Sequence, residues 1–199
     1  MKYDPRYKTL TKMDHSRELC RLTPQLARWL RGSLDVVILG IGNSVRRDDF
    51  VGMVVVRRLE RARLSHVHLI ETGEVPESYL GVVENIHPTH VLIVDAAEMD
   101  APVGSIKLAS PETIAGLSLS THTLPLSVVS DYLASMTKAK IALLGIQPKV
   151  IDFGEGLSRE LRDIVEPLSQ SIVRAFELSR KKGSRRRIRP KLNRTQRAR

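Results

Sequence analysis

Three apolar runs constrain the fold more than any other feature of this chain: "VVILGIG" (36–42), "HVLIVDA" (90–96) and "KIALLGI" (140–146). Each is apolar at consecutive positions, so each must be covered on both faces, and each is too short to be read as a buried helix. The segments between them carry the other period. Val51, Val55, Leu59 and Ala62 recur at helical spacing, as do Leu126, Val129, Leu133 and Met136 within "LPLSVVSDYLASM" (124–136). "PESYLGVVENIH" (76–87) reads as a helix stopped by Pro88. A last helix begins near Ser158 and carries Leu161, Val165, Leu168 and Ile172, with Pro167 expected to kink it. "HVHLIE" (66–71) reads as a further strand, "GSIKLA" (104–109) as an edge strand and "KVIDFG" (149–154) as a short one. Strands alternating with helices imply an α/β fold: a twisted, mostly parallel sheet flanked by helices on both faces, in three layers, with right-handed crossovers. In such sheets the functional groups gather beyond the carboxyl ends of the strands.

This pattern occupies residues 34–179. Residues 1–33 read as a partly helical N-terminal extension, in which Thr23-Pro24 has the form of an N-cap followed by proline at the first helical position. Leu22, Leu26, Trp29 and Leu30 then share one apolar face. The net charge of +10 points to nucleic acid until it is located. Eleven of the 32 Lys and Arg fall in "RKKGSRRRIRPKLNRTQRAR" (180–199), which has no acid; the rest of the chain then holds 21 basic and 22 acidic residues, a net of −1. The basicity is an appendage, and such a block is expected to stay solvated and disordered, free to meet RNA, anionic lipid or an acidic partner. No aromatic residue interleaves it, so nucleic acid is not the expected partner. Cys20 is the single cysteine, which excludes a disulfide framework. No apolar run approaches a membrane span, and the first residues lack the apolar core of a secretory signal. A cytoplasmic protein is expected.

The first strand leads into "GIGNSVRRDDFVG" (40–52), a glycine turn with two adjacent aspartates. It matches neither G-x-G-x-x-G nor the Walker pattern. A nucleotide phosphate at this helix start would meet Asp48 and Asp49, and the repulsion argues against a nucleotide. One carboxylate is accounted for by a helix start, where it satisfies free N–H groups and the positive end of the dipole; a second is not. Asp95 closes "VLIVD" at the carboxyl edge, as a turn former or as a site residue. His122 in "STHTLPL" precedes a helix, a position that favours the neutral, metal-binding imidazole; taken alone it reads equally as a hydrogen-bonded loop residue. In a doubly wound sheet Asp49, Asp95 and His122 fall on one carboxyl edge. Two carboxylates and an imidazole with open positions suit a borderline divalent metal.

"GIGNSVRRDDFVG", "VLIVDAAEM", "THTLPL" and "LLGIQP" together resemble the hydrogenase maturation endopeptidases, the last two most closely the branch that processes the large subunit of formate-hydrogenlyase-type [NiFe] hydrogenases. The resemblance covers residues 35–178. It implies an α/β fold and an endopeptidase that removes a short C-terminal peptide from the [NiFe] hydrogenase large-subunit precursor after nickel insertion. The family's metal-contacting carboxylate falls on Asp49, its strand-end aspartate on Asp95 and its histidine on His122, giving these three the catalytic and metal-contacting roles. Nickel is expected to arrive with the precursor rather than to reside tightly in the free enzyme. No nucleophile–base pair replaces this arrangement, since Ser44 has no adjacent histidine and Cys20 lies in the extension. Gly40 and Gly42 would let the precursor backbone approach closely. Asn43 and Gln147 are read either as polar contacts to the peptide or as local turn hydrogen bonds. A non-catalytic, metal-sensing chaperone that docks the same precursor is the alternative function.

Overall fold

The structure, a computed structural model, describes residues 12–110, 113, 118–119 and 125–184. In chain order the elements are α1 (Lys12–Trp29), β1 (Val36–Ile41), α2 (Val51–Glu60), β2 (Val67–Gly73), α3 (Leu80–Ile86), β3 (His90–Glu98), β4 (Ile106–Ala109), β5 (Ser118–Leu119), α4 (Leu126–Thr137), β6 (Lys140–Ile146) and α5 (Arg159–Ser184). Short 3₁₀ turns, Arg47–Phe50 and Pro76–Tyr79, lead into α2 and α3. The sheet runs β2-β1-β3-β6-β4. The β2–β1, β1–β3 and β3–β6 ladders are parallel, while β4 closes the edge antiparallel to β6. β5 pairs antiparallel with the end of β3.

The uninterrupted apolar runs are explained by burial on two sides. Val36, Ile38, Leu92, Val94, Leu144 and Ile146 pack with α1, α2 and α5 in one buried cluster. The alternate positions Val37, Leu39, Ile41, Val91, Ile93, Ile141 and Leu143 pack with α3 and α4 in the other. The expected three-layer α/β architecture is therefore observed. The chain turns one way from β1 to β2 and comes back past β1 to β3, so the order reverses between β1 and β3, and a crevice at their carboxyl ends is the place such a sheet offers a ligand.

Glycine sets how closely α2 approaches that crevice. A Cβ on Gly52 would lie 2.1 Å from the Val94 carbonyl oxygen and 2.4 Å from that of Ile41; one on Gly40 would lie 2.6 Å from the Gly52 carbonyl oxygen. The first turn of α2 thus rests on the backbones of β1 and β3.

Several local expectations are corrected. α1 is already helical at Lys12 and passes through Thr23-Pro24 instead of starting there. Pro24 has no N–H to donate, and Thr23 Oγ1 donates to the Leu19 carbonyl (2.9 Å). Burial of Leu19, Leu22, Leu26, Ala27 and Leu30 holds the helix together across the proline. Met136 is 47% exposed, outside the buried stripe of Leu126, Val129 and Leu133. Residues 149–154 form no strand; their one β-type pairing is an isolated bridge between Gly154 and Arg46. Residues 76–87 divide into a 3₁₀ turn and α3, ended by His87 in the left-handed conformation (φ 53°). α5 continues to Ser184, into the basic segment, and the remainder of that segment lies outside the described residues.

Candidate active site

β1 delivers the chain to the crevice at Gly42, whose φ of +143° and contact distance both require glycine: a Cβ there would lie 1.9 Å from the Asp49 carbonyl oxygen. The chain then folds back through Asn43 into the 3₁₀ turn that holds both aspartates, and this turn packs against β3. Neither α2 nor the turn has a side-chain N-cap, so the expected capping role falls to neither aspartate.

The two carboxylates face different tasks. Asp48 is fully buried and accepts three backbone N–H groups, from Lys149 (2.9 Å) and Val150 (3.1 Å) on Oδ2 and from Ser158 (2.6 Å) on Oδ1. Its own N–H donates to the Val150 carbonyl (3.1 Å). It ties the β6–α5 loop, residues 147–158, to the loop that follows β1. Two further bonds run the same way, Arg47 N–H to the Gly154 carbonyl and Gly154 N–H to the Val45 carbonyl, both 2.9 Å. Lys149 Nζ donates to Glu160 Oε1 (2.6 Å); burial pushes this carboxyl up, but the lysine holds it below its ordinary value. Asp49, 1% exposed, instead turns inward, and its Oδ2 accepts the Asn43 N–H (3.1 Å).

Asp95 is fully buried but does not terminate its strand. β3 runs three residues further, and Asp95 pairs with Gly145 of β6. On the other side the β1 ladder stops at Gly40–Val94, so Asp95 stands one position past the end of the β1–β3 pairing. The structure thus places Asp49 and Asp95 on touching elements at the switch point, while His122 lies outside the described residues. Among the described residues no group of three or more His, Cys, Asp or Glu is arranged to hold a metal ion.

The remaining predicted contacts have intramolecular occupants. The space beside Gly40 is filled by α2 and that beside Gly42 by Asp49, so neither glycine leaves room there for another backbone. Gln147 is buried; Oε1 accepts from Met99 N–H (2.7 Å) and Ala101 N–H (3.4 Å), and Nε2 donates to Glu98 Oε1 (2.8 Å) and the Pro148 carbonyl (3.3 Å). Apart from the bond to Pro148, these reach residues 46–49 positions away, so Gln147 clasps the end of β3 and the residues after it in place of the local turn bonding expected. Asn43 keeps part of its surface, with Oδ1 accepting the Val45 N–H (2.9 Å).

A sequence model described as "Hydrogenase maturation protease" matches residues 53–175. A putative hydrogenase maturation protease of Methanocaldococcus jannaschii is 40% identical over 157 residues, covering 70% of this chain and 93% of that protein. The chain belongs to the hydrogenase maturation protease family. The Hydrogenase 3 maturation protease of Escherichia coli K12 is 31% identical over 137 residues, 68% of this chain and 87% of its own. The crystal structure of a [NiFe] hydrogenase maturation protease from Thermococcus kodakarensis superposes with a TM-score of 0.71 at 34% identity, covering 77% of this chain and 99% of the other. As a maturation protease the chain is a peptide-bond hydrolase, which decides against a docking function without catalysis. The sheet and flanking helices are those of the family. No helix among the described residues of this protease is long and apolar enough to cross a membrane.

Proposed function

We propose that this protease removes a C-terminal peptide from the nickel-loaded large-subunit precursor of a formate-hydrogenlyase-type [NiFe] hydrogenase, in the cytoplasm, and that the precursor's own nickel is its recognition signal. Asp49, Asp95 and His122 read that nickel and act on the scissile bond; a carboxylate serves as base toward the attacking water, while nickel held by the precursor fixes the bond beside it. Asn43 is the polar contact to the peptide that the local hydrogen bonding leaves available.

The observation that carries the reading is the pair of buried carboxylates, Asp49 and Asp95, on adjoining elements at the switch point. Buried carboxylates are expensive to maintain, and two brought to the carboxyl edge of such a sheet support a functional site there. The branch assignment is supported by the 31% identity to the Hydrogenase 3 enzyme. Incubating nickel-loaded and nickel-free precursor in parallel with the wild type and with Asp49→Asn, Asp95→Asn and His122→Ala tests it on a gel. Wild type should shorten only the loaded precursor, and each variant should leave it intact. Equal cutting of both precursors would sink the nickel signal, and wild-type rates in all three variants would sink the site.

A further inference from the structure

Phe153 is 78% exposed, the most exposed large apolar side chain among the described residues, and it joins neither apolar cluster of the fold. It is nevertheless held firmly. Its loop is tied at Lys149, Val150, Gly154 and Ser158 to the loop that carries Asp49. Val45, 45% exposed, lies directly across, because its carbonyl accepts the N–H of Gly154. The Arg46 guanidinium sits 6.0 Å from the Phe153 ring centroid, at the outer limit of a cation–π contact. Exposed Arg47, Asp152 and Glu155 put charges of both signs around the two apolar side chains. An aromatic ring kept in water on a braced loop contributes nothing to the core, and an apolar centre with a mixed polar rim is the anatomy of a protein-binding hot spot.

We infer that Phe153 and Val45 form a docking knob that receives an apolar side chain from the C-terminal segment of the hydrogenase precursor. The occupant follows from position. Val45 is four residues from Asp49 in sequence, and Phe153 is locked to the same loop, so the patch stands on the rim segment that carries Asp49, where a protein substrate presenting its scissile bond would approach. With both signs of charge on the rim, net charge selects nothing, and recognition falls to the apolar centre. The inference rests on the proposed function for the identity of the partner.

The test measures binding and cutting separately, with full-length enzyme and immobilised, nickel-loaded large-subunit precursor. Phe153→Ala should raise Kd at least ten-fold, Phe153→Leu no more than about three-fold, and Leu34→Ala, at the next most exposed of these side chains (71%) beyond the amino end of β1, should leave it unchanged. Melting temperatures should stay within about 2 °C, as expected for exposed side chains. If Phe153→Ala itself melts lower, Val45→Ala decides by the same rise in Kd. A Kd within two-fold of wild type, an equal loss in Leu34→Ala, or no binding by wild type overturns the knob. Wild-type enzyme that binds through Phe153 but does not shorten the precursor overturns the proposed processing and leaves the knob standing.

Discussion

Asp48→Ala should unfasten the rim of this protease. The side chain removed is fully buried and accepts three backbone N–H groups from residues more than 100 positions away in sequence. Hydrogen bonds to a charged acceptor contribute about 1.5–3 kcal/mol each, and a partly buried donor left without a partner costs at least about 1 kcal/mol. Taking the low figure for each of the three gives a loss of about 3 kcal/mol, and taking intermediate values doubles it. For a chain of this size, about 2–4 °C accompanies each kcal/mol, so the melting temperature should fall by at least about 6 °C. Asp48→Asn should lose less, because the amide oxygen can still accept from Lys149 and Val150 while its NH₂ opposes the Ser158 N–H. Thermal unfolding followed by circular dichroism gives the first number, and amide exchange at Lys149, Val150 and Ser158 locates it. An alanine variant melting within about 2 °C of wild type, with those amides still protected, would refute the tether.

Asp49→Asn keeps the size of the side chain and an acceptor for the Asn43 N–H, and should lower the melting temperature less than Asp48→Ala while losing precursor processing, a contrast with its neighbour read by melting and gel together. Gly52→Ala places a methyl group 2.1 Å from the Val94 carbonyl oxygen and should cost about 3 kcal/mol or more, seen as lost soluble yield or a large fall in melting temperature. His90 is buried, with Nε2 donating to the Trp29 carbonyl (3.0 Å). Burial above all, with Lys140 adding to it, holds this imidazole below its ordinary value of 6.5, against the raising effect of the Trp29 bond. The unfolded chain takes up that proton near pH 6.5 and the folded chain resists it, so stability present above pH 6.5 is lost as pH falls through the lower folded value. Melting between pH 7.5 and 5 should show that slope, and His90→Gln should flatten it.

The sheet was legible because its signal is strong and local. Val36–Ile41, His90–Ala96 and Lys140–Ile146 need cover on both faces, and only a helix-covered parallel sheet supplies it. β5 was missed because a two-residue strand has no period to detect. The start of α1 was misplaced because Thr-Pro is a local cue, and burial of five apolar side chains around it outweighs that cue. In the site, the carboxyl edge of the sheet is where acidic side chains matter, which draws attention to Asp48, Asp49 and Asp95, and the family resemblance chooses Asp49 of the adjacent pair. What separates Asp48 from Asp49 is hidden in sequence, since the partners of Asp48 are backbone N–H groups, which every residue but proline carries. The same holds for Gln147, engaged through backbone groups of Met99, Ala101 and Pro148 and the side chain of Glu98.

The packing of α1 on α5 has a consequence for how a new chain comes into being. Leu19, Leu22 and Leu26 share one cluster with Ile172, Ala175 and Phe176. At about 5–20 residues per second, the ribosome needs on the order of 10–30 s to travel from the first group to the last. Throughout that interval the nascent polypeptide shows an oily flank to the cell, and a helper that shields it should raise the yield of finished enzyme.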